Sequence, residues 1–137
     1  MILGFEDVFT GIQADYVSLC LEFAENKADM IYIFIYQGQN MRTFNAFFRK
    51  DGSVMYVDDF RDSEVVDSFF DIGIKDIEKL IDVCNKYEHK CPNEIKMTYD
   101  VRSRHFDAEY VYEDYLLNDN IDPNSVFDKW IDREEQV

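Results

Sequence analysis

Glycine and proline are scarce: five glycines and two prolines punctuate 137 residues. That scarcity argues against flexible linkers and collagenous or low-complexity segments. The glycines are scattered and none forms GxGxxG or GxxxxGK[ST], so no phosphate cradle is expected. Cysteine is also short. Cys20, Cys84 and Cys91 make an odd count without paired spacing, which argues against a disulfide framework. Positive charge is the third shortage. Fourteen Lys and Arg face 29 Asp and Glu, a formal charge of −15. Affinity for phosphate backbones and for anionic membrane surfaces comes from Lys and Arg, so neither nucleic acid nor such a membrane is the expected partner. No apolar run approaches the ~20 residues of a membrane span. The opening "MILGFEDVFTGIQ" has no basic segment and no long apolar core, so it does not read as a signal peptide. The expectation is a protein of the reducing cytoplasm.

What is present is apolar and aromatic. Hydrophobic residues make up 47% of the chain and aromatic ones 16%, unlike a disordered segment. The length suits one domain over 1–137, able to bury roughly two-thirds of the surface its unfolded chain exposes. Phe5, Val8, Phe9, Ile12, Tyr16, Leu19, Cys20 and Phe23 recur at helical spacing, predicting a helix over 4–26. "MIYIFIY", residues 30–36, is apolar on both faces and rich in β-branched and aromatic residues, as a central strand is. A turn at "QGQN", a strand over 41–48, a turn at Asp51-Gly52 and a strand over 53–57 complete an antiparallel meander. Residues 58–73 are acidic, with room for a short helical turn on Val65, Val66, Phe69 and Phe70. A second long helix is predicted from the stripe Ile74, Ile77, Leu80, Ile81, Cys84 and Tyr87. Two alternating segments, 94–99 and 105–112, predict a hairpin with Phe106, Tyr110 and Tyr112 turned to the core. Asp122-Pro123 opens a last helix bearing Val126, Phe127, Trp130 and Ile131. The order α-β-β-β-α-β-β-α predicts an α+β fold, one antiparallel sheet of about five strands with helices covering a face.

Several constellations could carry chemistry. Cys84, His89, Cys91 and His105 fall within 22 residues, yet their spacing matches no zinc module, and Cys84 lies on the apolar stripe of its helix. A Cys91 nucleophile paired with His89 or His105 would need an electropositive setting, which this chain lacks. No calcium-loop spacing is present. Paired carboxylates are the best catalytic alternative: Glu109, Glu113 and Asp114 could meet Asp58, Asp59 or Asp62 in a small acid–base or metal-dependent enzyme. These acids fall in segments that read as exposed, which favours ordinary acidity. Neither a cofactor nor a metal is expected.

What remains is surface. Two acidic tracts, 58–71 and 107–122, interleave acids with aromatics: Phe60, Phe69 and Phe70 in the first, Tyr110, Tyr112 and Tyr115 in the second. Interfaces combine rigid aromatic anchors with complementary charge. Tyr115 and Phe60 could serve core or surface.

"FFRKDGSVMYVDD", then an amphipathic helix, then "PNEIKMTYDVRSRHFDAEYVYED" and a terminal "FDKWIDRE" together resemble the YezG-like family of antitoxin and immunity proteins. The segment Phe106–Asp114, F-x-A-x-Y-x-Y-E-D, is similar to that family's alternating aromatics ending in Tyr-Glu-Asp. The resemblance spans roughly residues 30–135. It departs at Cys91-Pro92, where the family often carries a Trp. The resemblance implies a bacterial cytoplasmic protein that binds a cognate toxin domain, commonly a nuclease, and neutralises it without catalysis. A nuclease presents a basic groove, and an acidic surface can fill it. The candidate contact residues on that reading are Asp58, Asp59, Asp62, Glu64, Asp67, Glu113, Asp114, Tyr115, Asp119 and Asp122, which would steer and pair with Lys and Arg on the toxin. An adaptor for some other basic protein remains an alternative.

Overall fold

The computed structural model describes residues 4–39 and 41–136. Helix α1 spans Phe5–Phe23. It stops short of the expected 4–26 because Glu25 and Asn26 both take left-handed backbone (φ 53° and 59°) and the Asn26 amide donates back to the Leu21 carbonyl, 3.0 Å. Three strands follow, β1 Met30–Gln37, β2 Arg42–Lys50 and β3 Ser53–Tyr56. The β2–β3 turn uses Asp51 at φ 52° and Gly52 at φ 83°, the paired positive angles that suit a tight hairpin. The expected turn at 37–40 includes Asn40, which lies outside the described residues, but Gln37 and Arg42 are paired in register across it.

A short 3₁₀ turn, Val57–Asp59, leads into α2, Ser63–Lys86. This corrects the expectation of a short turn followed by a separate helix from 74. The 58–73 tract is mostly the first half of one 24-residue helix. Its N-cap is Asp62, whose carboxylate accepts from the Val65 amide at 3.2 Å. Gly73 does not break the helix, because it marks where α2 passes closest to the sheet. Its hypothetical Cβ would sit 2.1 Å from Cδ2 of Phe44.

Strands β4 Glu94–Asp100 and β5 His105–Val111 form the expected hairpin. A further short helix, α3 Tyr115–Asp119, was not predicted. Asp114 caps it and Asn120, at φ 56°, closes it. Helix α4, Pro123–Glu135, starts from Asp122 as its N-cap, which accepts from the Asn124 amide at 3.0 Å.

The sheet is wholly antiparallel in the order β3-β2-β1-β4-β5. All six residues from Ile31 to Tyr36 are buried, so β1 is covered on both faces. Ile31, Ile33, Ile35, Phe44, Ala46, Phe48, Ile95 and Met97 meet α1 and α2 on the first face. Tyr32, Phe34, Tyr36 and Phe47 meet α3 and α4 on the second, where Trp130 stands edge-on to Tyr32 and Phe47. Helices therefore cover both faces rather than one. α1 and α2 run antiparallel: Phe5 stacks on His89 at 4.1 Å at one end, and Arg61 donates to the Phe23 carbonyl at the other. On the second face Arg49 donates to the Glu134 carbonyl at 2.9 Å, satisfying the C-terminal end of α4. Among the described residues no helix is long and apolar enough to cross a membrane.

Candidate functional site

The helices do not shield the sheet evenly. α1 lies over β1, α2 over β2, and α4 over β2 and β3. Strand β5 is at the far edge of the sheet and meets α1 along one flank, through Gln13 Nε2 donating to the Tyr110 hydroxyl at 2.8 Å. Three grooves follow from this uneven cover. One of about 500 Å³ lies on the second face between α4 and the β4–β5 hairpin, lined by Lys96, Thr98, Asp107, Glu109, Trp130 and Arg133 among others. One of about 370 Å³ lies on the first face beside α1, lined by Val17, Leu21, Tyr99 and Phe106 among others. A third lies at the end of the strand, among Phe9, His89, Tyr110 and Tyr112. The open surface of the molecule is the β5 side.

Sequence alternation predicts Tyr110 and Tyr112 turned to the core, yet they are 41% and 43% exposed. The alternation is present, but no helix lies fully over that end of the edge strand. Tyr115 goes the other way. It is buried, its ring 4.8 Å from Tyr36, and its hydroxyl donates to Glu94 Oε1 at 2.6 Å. Tyr115 is therefore not a contact residue as expected: it supports the α3 turn from inside. Burial and then the Glu94 carboxylate push its acidity down, keeping the phenol protonated. Phe60 packs edge-on against Phe48 and joins the core.

The nine candidate acids separate into two places and two kinds. Asp58, Asp59, Asp62, Glu64 and Asp67 follow β3, at one edge of the sheet, and their helix packs on the first face. Glu113, Asp114, Asp119 and Asp122 follow β5, around α3. Asp114 is held at the end of β1 by Tyr36 and Gln39, whereas Asp59 is held by Tyr56 on β3, two strands away. The tracts do not form one surface, and the carboxylates of 58–62 do not converge with Glu109, Glu113 and Asp114 as the enzyme alternative requires. Among the described residues no three His, Cys, Asp or Glu side chains lie close enough to hold a metal ion. Burial, followed by the neighbouring Cys84 thiol, holds the Cys91 thiol well above the ordinary cysteine range, the wrong direction for a nucleophile.

Function also divides the acids. Asp59 accepts from the Tyr56 amide at 2.8 Å, and Asp62 and Asp122 cap helices. Asp114 is the most committed. It accepts from the Tyr36 hydroxyl, from the Gln39 amide at 3.0 Å and from the Leu117 amide at 3.2 Å. The Tyr36 bond, then the Gln39 amide, hold its carboxyl below the usual aspartate range. Burial and that same bond push Tyr36 up to about 12. Asp58, Glu64, Asp67, Glu113 and Asp119 make no bond to a backbone amide or a cation among the described residues. Glu113 and Asp119 face each other, and the hydrogen bond to Asp119, then its negative charge, push the Glu113 carboxyl above the usual glutamate range.

The chain matches no family model and no curated protein.

Two further acids, Asp107 and Glu109, stand exposed on β5. Glu109 lies opposite Lys96 in the β4–β5 register. Lys96 turns inward instead, its ammonium 5.8 Å from the Trp130 ring and 3.9 Å from Glu94 Oε2. Among the described residues Glu109 has no cationic partner within 4.0 Å, and the partner of Asp107 is His105 at 3.2 Å. The sequence signal for Asp107 and Glu109 was their alternation with Phe106, Ala108 and Tyr110, which places two carboxylates on one face of an edge strand.

Proposed function

We propose that the protein is an immunity protein that binds a cognate cationic toxin domain, of nuclease type, and neutralises it without chemistry of its own. The observation that carries this reading is the β5 side. There an uncovered edge strand carries exposed Tyr110 on its first face and Asp107 and Glu109, without Lys or Arg partners among the described residues, on its second, and exposed Tyr112 follows it. Aromatic anchors beside unpaired charge are what a high-affinity protein contact uses. The formal charge of −15 supports fast encounter with a basic partner. The resemblance of Phe106–Asp114 to the YezG-like pattern falls on this same strand. A toxin's phosphate-binding groove is basic for its own function, so an acidic surface competes for it directly.

The test is genetic and then physical. The gene's flanks are sequenced, and the toxin domain that the proposal expects there is expressed alone and together with this protein. Restored growth, with a one-to-one complex surviving size exclusion, is the expected outcome. Continued killing at equal expression would sink the proposal.

A further inference from the structure

We propose that the partner engages β5 by adding a strand to it, and that the added segment is basic on one face and apolar on the other. This rests on the reading of the protein as a binder of a basic partner and specifies how the contact is made. Strand β5 ends the sheet at seven residues, long enough to template another strand, and its outer backbone edge pairs with nothing in the sheet. The opposite edge, β3, has four residues, a length that does little to template another strand.

The two faces of β5 specify the occupant. Asp107 and Glu109 point to the second face, exposed and without Lys or Arg partners among the described residues. A neighbouring strand would place its own side chains directly opposite them, where opposite charge stabilises and like charge repels. Arg102 and Arg104 stand beyond them, at the hairpin turn. Phe106, Ala108 and Tyr110 point to the first face, continuing into the apolar groove bounded by Val17, Leu21 and Tyr99. Lys or Arg at alternate positions, with Val, Ile or Tyr between, satisfies both. The same acids select against a second copy of this chain, because β5 pairing with itself brings carboxylates together. Edge carboxylates on their own are a common guard against aggregation. Here they guard against acidic and neutral strands while admitting a basic one.

The probe is a short synthetic peptide alternating Lys with Val, read by amide hydrogen exchange and amide chemical shifts of the whole protein. The expected result is slowed exchange at the alternate β5 amides that do not bond to β4, lost when the peptide is N-methylated throughout. The double variant Asp107→Lys, Glu109→Lys should reverse preference. It should bind the Lys peptide roughly five- to tenfold more weakly and instead accept one alternating Glu with Val. Circular dichroism on that variant establishes that it is folded. An N-methylated peptide that binds equally well would overturn strand addition while leaving an acidic docking surface intact. No protection in β5 at millimolar Lys peptide would overturn it as well. Failure of the toxin to bind at all is a separate result, and removes the underlying reading.

Discussion

At the scale of single residues, the acids of this protein are not interchangeable. Asp114 joins β1, the segment after it and α3 through one carboxylate. Gly38 lies against it, with room for no side chain: a Cβ there would be 2.8 Å from either oxygen. Asp114→Ala removes a cap and leaves the Tyr36 hydroxyl to find another acceptor. A cap is worth about 1 kcal/mol and a charge-assisted hydrogen bond about as much again, so the loss should be about 2 kcal/mol in urea unfolding. Gly38→Ala should cost a similar amount by pushing the carboxylate away. The double variant should cost much less than the sum, because both changes break the same bonds. Additive costs would show that Gly38 matters for another reason.

Acidity gives a second handle on the same residue. The folded-state pKa of Asp114 is depressed, so its contribution is full above the ordinary aspartate value of 3.8 and is lost as pH falls through the folded value. Asp114→Asn keeps an N-cap acceptor but cannot titrate. The stability gap between the natural protein and Asp114→Asn should be constant near neutrality and narrow below about pH 4. A gap that widened on acidification would assign the wrong sign to the Tyr36 and Gln39 bonds.

At the scale of elements, helix propensity and packing make opposite predictions at Gly73. Alanine in a helix interior is favoured over glycine by about 1 kcal/mol. Here the added methyl meets the buried ring of Phe44 at 2.1 Å, and Phe44 is itself held by Tyr16, Phe69 and Phe70. Forcing a methyl into a packed core costs about 1–3 kcal/mol, and this contact is tighter than most. Gly73→Ala should therefore lower the thermal midpoint, and a rise would mean that α2 can lift off the sheet freely. That packing role also explains what sequence could and could not show. The strands were legible because β1 is apolar throughout and β4 alternates strictly. The continuity of α2 was not, because Gly73 and the acids around it mimic a break, and what holds the helix together there is Phe44, 29 positions away. Coverage of both sheet faces was implicit in the unbroken apolar run of β1. The exposure of Tyr110 and Tyr112 was hidden, since alternation tells which side chains share a face and not whether a helix lies over them. The α3 turn escaped notice because five residues are too few to show a period, and its stability comes from Asp114 and Tyr115.

At the scale of the whole molecule, the question is which of 29 acids act by contact and which by field. Both tracts add to a net charge of −15, and a net field speeds association wherever its charges sit. Contact is local. Only acids on the bound face lose water and pair with toxin cations, and those set the dissociation rate. The β5-side set Asp107, Glu109, Glu113 and Asp119, on β5 and in the segment after it, and the α2-side set Asp58, Glu64 and Asp67, after β3, come from different parts of the fold and omit the residues that cap helices. Neutralising each set as Asn or Gln changes net charge by similar amounts. Loss of the α2-side set should slow association a fewfold at low salt, with the effect vanishing at ~0.5 M salt, where the Debye length falls to roughly 4 Å. Loss of the β5-side set should slow association similarly and also speed dissociation by one to three powers of ten, a difference that persists at high salt. Surface plasmon resonance across salt concentrations separates the two components. If both sets act only on the association rate, the acids steer and do not dock. If the α2-side set controls dissociation, the binding face lies at the β3 edge and the assignment of the site to β5 is wrong.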